Sequence, residues 1–108
     1  MACAGFTAWT TPVVTFVLDV PGALKATTDV VLSIVQGATR LDLHADALDI
    51  DADAGTITAE LTQAQTGAFK GDRPADVQAN IYYEDGTRVP SEIIHLAVLA
   101  NLFEEEMA

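Results

Sequence analysis

The chain has one cysteine, Cys3, in 108 residues. An internal disulfide is therefore impossible, and a lone thiol has no neighbours at zinc-ligand spacing. Lysine and arginine are also scarce, five against sixteen acidic residues, for a formal net charge of −11. Such a balance opposes encounter with phosphate backbones and anionic membranes, and no basic cluster with interleaved aromatics offsets it. Lys70 and Arg73 are the nearest to a cationic pair. Aromatics make up 6% of the chain, so a core has to come mainly from Val, Ile, Leu and Ala. No apolar run approaches the ~18 residues of a membrane-spanning helix. The first ten residues lack the basic start and apolar stretch of a secretory signal, and Cys3 lacks the preceding pattern of a lipoprotein. The expected setting is a cytoplasm that keeps the thiol reduced, with no nucleic-acid or membrane partner. Glycine-rich phosphate loops are missing as well, and no cofactor signature is present.

What the chain does have is apolar content, at 50%, enough to argue against disorder. Its length is that of a single domain. Residues 1–11 read as an N-terminal arm, in which Phe6 and Trp9 are expected to dock on the domain or on a neighbouring subunit. Residues 12–108 read as the domain itself. Pro12 and the Pro21–Gly22 pair bracket a β-branched run, with Val14, Phe16, Leu18 and Val20 on one face. Residues 29–36 form the most apolar run and suit a central strand covered in part on both faces. A turn at Gly37 leads into residues 39–43, where Leu41 and Leu43 alternate with polar residues and are expected to face the core. Leu48 and Ile50 continue as a short strand or extended loop.

The second half follows the same logic. Residues 55–61 place Ile57, Ala59 and Leu61 on one side of a strand and Thr56, Thr58 and Glu60 on the other. Residues 62–69 read as a polar, turn-like excursion closed by Phe69. Residues 76–83 form a strand in which Tyr82 and Tyr83 face opposite sides, and a tight Asp85–Gly86 turn returns the chain through residues 89–98. Leu99, Leu102 and Phe103 have helical spacing and predict a short C-terminal helix, with Glu104, Glu105 and Glu106 at its dipole-unfavourable end. The expected fold is all-β: one antiparallel immunoglobulin-like β-sandwich of about seven strands with that helix. The alternative is an α+β fold with proper helices at residues 62–70 and in the tail.

Asp49, Asp51 and Asp53 fall at alternate positions, and Glu60 stands twelfth from Asp49. Oxygen ligands at that spacing close around calcium in an EF-hand loop. The pattern departs in its sixth position, which is Ala54, while Gly55 comes seventh, and in its flanks, which read as strands. The competing reading is a strand running into an acidic, solvated turn. His44 and His95 are candidates for a metal ligand or a general base, against a plain reading as exposed strand histidines. Neither Ser33 nor Ser91 has the glycines of a nucleophile elbow. No catalytic constellation emerges, and an enzyme is not expected.

The order Ser33–Gly37, then Leu61, Thr62, Gln63, Thr66 and Phe69, then Val77 and Gln78, then Asp85, Gly86 and Thr87, then Ser91, Glu92 and Ile93 resembles small structural proteins encoded by phages and prophages of Gram-positive bacteria, among tail and baseplate genes. The resemblance spans about residues 12–102. It implies an immunoglobulin-like β-sandwich with a structural or assembly role in the virion, working through protein–protein contacts with other phage proteins or with itself. It brings no catalytic residues. The Ala-rich, acidic composition and the Cys- and Trp-bearing arm depart from the pattern. The alternative is a generic bacterial β-sandwich binding module with calcium as its ligand.

Overall fold

Period-two alternation decides where strands form, and most of the strands expected from it are present in the computed structural model, which describes residues 5–17, 27–91 and 93–103. Expectations placed on Cys3, Leu18, Val20, the Pro21–Gly22 breaker, Glu92 and Glu104–Glu106 lie outside the described residues. The chain is β-rich. Its strands are β1 (Phe6–Thr7), β2 (Val13–Val17), β3 (Thr27–Gln36), β4 (Thr39–His44), β5 (Asp49–Asp51), β6 (Thr56–Glu60), β7 (Ala75–Tyr83), β8 (Arg88–Pro90), β9 (Ile94–Leu96) and β10 (Val98–Leu99). A single turn of 3-10 helix, Ala45–Ala47, joins β4 to β5, and a five-residue α-helix, α1 (Gln63–Gly67), follows β6.

Three sheets result among the described residues. The largest runs β4-β3-β7-β8, with β9 also pairing β7; a three-stranded sheet runs β2-β6-β5; and β1 pairs with β10. All pairings in the two larger sheets are antiparallel, whereas β1 and β10 run parallel. The large sheet turns Val30, Leu32, Ile34, Leu43, Val77, Ala79, Ile81 and Leu96 into a common core, and the small one adds Val14, Phe16, Ile57 and Ala59. Alternation thus gives each sheet one buried face and one outward face. β3 is the central strand, between β4 and β7, and Ser33 on its outward face is also buried. The two tyrosines of β7 divide as the alternation requires: Tyr82 is exposed and Tyr83 packs against the core.

Within the turn-like excursion expected at residues 62–69, Gln63–Gly67 form a short helix. The Thr62 hydroxyl accepts the Gln65 N–H while the Gln65 side chain accepts the Thr62 N–H, a reciprocal capping box that holds a helix too short to persist by propensity alone. The C-terminal helix, in contrast, is not formed over the described residues. Val98 and Leu99 are taken as a strand by β1, and Leu99, Leu102 and Phe103 are exposed. Helical spacing there loses to backbone pairing with the start of the chain. The expected returning strand, 89–98, is broken into three. At the first break Ser91 donates its N–H to the Ala79 carbonyl, and the Ser91 hydroxyl accepts the Ala79 N–H. The side chain there takes over one rung of the ladder after Pro90, which has no N–H to give.

The first described residues dock on their own domain. Phe6 and Ala8 are buried, and the Phe6 ring meets Phe69 edge to face at 5.9 Å. Trp9, with a left-handed φ of 62°, lays its indole over Gly67, where an added Cβ would lie 2.4 Å from the ring.

Candidate functional site

The outward face of the large sheet carries the most chemically varied surface among the described residues. Register places its side chains in rows across the strands. Arg40, Val35, Asp76 and His95 form the first row; Asp42, Ser33 and Gln78 the second; His44, Val31, Asn80 and Pro90 the third; Asp29, Tyr82 and Arg88 the last. Part of this face, around Ser33, Asp42, Asn80 and Tyr82, floors a shallow, open depression of about 400 Å³.

Charges on this face meet opposite charges or polar groups. Arg40 Nε donates to Asp42 Oδ2 at 2.8 Å, and the Ser33 hydroxyl donates to Asp42 Oδ1 at 2.6 Å. With both oxygens engaged, the Arg40 guanidinium foremost and then the Ser33 hydroxyl hold the Asp42 carboxyl below its ordinary range. The same pairing raises Arg40 above its own. His95 Nδ1 lies 2.7 Å from Asp76 Oδ1, and His44 Nδ1 lies 3.7 Å from Asp29 Oδ2. Arg88 Nε donates to Asn80 Oδ1 at 3.3 Å. These solvent-exposed pairs contribute little stability each. Their effect is to make a locally balanced, hydrogen-bonding face on a strongly acidic protein.

The same geometry assigns the candidate nucleophile and bases. Ser33 directs its proton at a carboxylate, and His44 turns to a different one, so no serine–histidine relay forms between them. His44 and His95 stand on β4 and β9, separated by β3 and β7, and do not converge on one ion. Ser91 is occupied in the strand ladder.

The four carboxylates with calcium spacing are not brought together. Asp51 Oδ1 accepts the N–H groups of Asp53 and Ala54, both at 3.1 Å, and so caps the turn from β5 to β6. Gly55, at φ 70°, closes that turn by donating its N–H to the Asp51 carbonyl. Asp51 pairs with Thr56, at the start of β6, while Glu60 stands opposite Val13 at its far end, about 13 Å along the strand. An EF-hand needs that last carboxylate to fold back over the loop, and a paired strand prevents it. Among the described residues no three His, Cys, Asp or Glu side chains are clustered to hold a metal ion. Calorimetric titration with calcium is expected to give heats equal to those of dilution. A saturable signal lost on Asp51→Asn would show instead that the turn opens to take the ion.

The alternation of Arg40, Asp42 and His44 with Leu41 and Leu43 is visible in the sequence. What assembles these residues with Ser33, Asn80, Tyr82 and Arg88 is strand register, which no local pattern carries. No helix among the described residues is long and apolar enough to cross a membrane. Comparison with protein-family models gives no match, and comparison with curated proteins gives none either.

Proposed function

We propose that this chain is a non-enzymatic structural or assembly protein of a phage or prophage particle, acting through protein–protein contacts of a β-sandwich. The observation that carries the reading is the division of each large sheet into one face spent on a common core and one face, with its strand edges, turned outward. Such a molecule offers broad, shallow surfaces and strands that a neighbour's sheet can extend. The resemblance supplies the setting. Several of its residues have structural work here: Thr62 caps α1, Thr66 and Phe69 are buried, and Asp85 holds the β7–β8 turn by accepting the Thr87 N–H and hydroxyl. Those bonds from Thr87 also keep the Asp85 carboxyl below its ordinary range.

The proposed sandwich has the size of an immunoglobulin domain and a different strand order. In immunoglobulin domains the second strand belongs to the sheet of the first and fifth. Here β3 lies between β4 and β7, and β2 pairs with β6 without it. The partners are other particle proteins or further copies of this chain, in the virion or in the cytoplasm during assembly. Quantitative mass spectrometry of purified particles from the encoding strain tests the setting. Peptides of this chain at a fixed ratio to tail proteins are the expected result. Absence from both particles and assembly intermediates would count against it.

A further inference from the structure

Edge strands usually carry charge or proline, which keeps them from pairing with other chains. Among the described residues, the edges of the two larger sheets follow this practice with one exception. β4 presents Arg40, Asp42 and His44; β5 presents Asp49 and Asp51; β8 has Arg88 and Pro90; β9 has His95. β2, Val13-Val14-Thr15-Phe16-Val17, has no charged residue, in a chain of net charge −11. Its outward side chains are Val13 and Val17, 62% and 45% exposed, with Thr15 between them.

The backbone of β2 is set for pairing as well. Leu61 donates its N–H to the Pro12 carbonyl, and Pro12 continues the register of β2 against β6. In an antiparallel ladder the two polar groups of a residue point to the same side and alternate along the strand. Val14 and Phe16 therefore spend theirs on β6, and those of Val13, Thr15 and Val17 point to the edge. The strand is also close to its own reverse. Turned about an axis at Thr15, it sets Thr15 against Thr15, Val13 against Val17, and Val14 against Phe16.

We propose that β2 is a self-association edge, on which a second copy of this chain pairs antiparallel about Thr15 to make a continuous sheet β5-β6-β2-β2-β6-β5. Three facing residue pairs supply about six main-chain hydrogen bonds. The outward face gains a Thr58-Thr15-Thr15-Thr58 row flanked by two valine pairs, extending the Thr15–Thr58 hydroxyl contact of 3.1 Å already present. Strand spacing keeps like charges on that face, Glu60, Asp49 and Asp51 of the two copies, about 19–24 Å apart. That is beyond the ~8 Å screening length at physiological salt. The two-fold pairing consumes the uncharged edge of both copies, so assembly closes at two. The inference stands apart from the phage setting; neither requires the other.

Sedimentation equilibrium or light scattering across a concentration series at physiological salt reads it directly. The expected result is a species of twice the chain mass, with a dimer fraction that rises with salt as the net charge is screened. Thr15→Glu sets two carboxylates face to face at the axis, and Thr15→Pro removes the outward N–H at a position where an edge strand tolerates proline. Both are expected to run at the chain mass over the same concentrations, with far-UV dichroism like that of the parent. If Thr15→Pro fails to fold, Thr15→Glu still decides. A parent chain that stays monomeric throughout, an assembly larger than two, or a dimer that survives Thr15→Glu would overturn the proposal.

Discussion

Phe16→Ala is expected to lower the free energy of unfolding by about 3–5 kcal/mol, the usual cost of emptying an aromatic site in a close-packed core. Phe16 is 0% exposed and stands opposite Ile57, also 0% exposed, across the β2–β6 ladder. The small sheet reaches the shared core with four buried side chains, two of them the small Val14 and Ala59, and with Ile50 half-buried against it. Its hold on the large sheet therefore rests mainly on Phe16 and Ile57. The expected loss is a large share of the ~5–15 kcal/mol by which domains are stable at all. Urea unfolding followed by far-UV dichroism measures it. A loss under about 1 kcal/mol would mean that the site collapses around the missing ring, and that the two sheets hold each other by other means.

Thr66→Val is the second large expectation, about 1–3 kcal/mol, and it comes from bonds rather than volume. Thr66 is fully buried. Its hydroxyl donates to the Thr10 carbonyl at 2.8 Å and accepts the Thr10 N–H at 3.0 Å, so one oxygen serves both polar groups of a residue 56 positions away. Valine keeps the shape and leaves both groups unmatched. The same clamp holds Trp9 in its left-handed backbone, a conformation that costs a non-glycine residue about 1–3 kcal/mol unless its surroundings enforce it. The variant is therefore expected to free the arm before it loosens the sheets. Trp9 emission should shift to the red, and proteolysis near residues 8–11 should quicken, at denaturant concentrations where the dichroism of the strands is unchanged. A single transition seen alike by both probes would show that arm and core melt as one unit.

How far the fold could be read in advance depended on how local its causes are. β3 is legible because a short β-branched run bounded by a glycine turn admits little else, and β6 because Ile57, Ala59 and Leu61 alternate cleanly with polar residues. α1 has no apolar period to find, but Thr62 and Gln65 at capping-box spacing mark its start and were the available signal. The tail shows the opposite failure. Leu99, Leu102 and Phe103 satisfy a helical template, yet Val98 and Leu99 pair with Phe6 and Thr7, more than ninety positions away. Parallel pairing of two dipeptides leaves no periodic trace. The acidic turn is a related case. Spacing located its carboxylates correctly along the chain, but it could not show that Asp51 was already committed to two backbone N–H groups. On the outward face of the large sheet the residue types were legible strand by strand, and their assembly into rows was not.

The parallel run of β1 beside β10 has a mechanical meaning. Because the two strands point the same way, the chain arrives at one end of this pair and departs from the other. Tension that draws residues 5 and 101 apart therefore pulls the strands past each other instead of peeling them open. The Phe6 N–H to Ala97 carbonyl and Ala8 N–H to Leu99 carbonyl bonds lie across that pull and share it at once. The Asp72 N–H, bonded to the Val98 carbonyl, anchors β10 from its other side. A molecule tethered by both flanks would carry load through this small clasp, in shear, before any of it reached the large sheets.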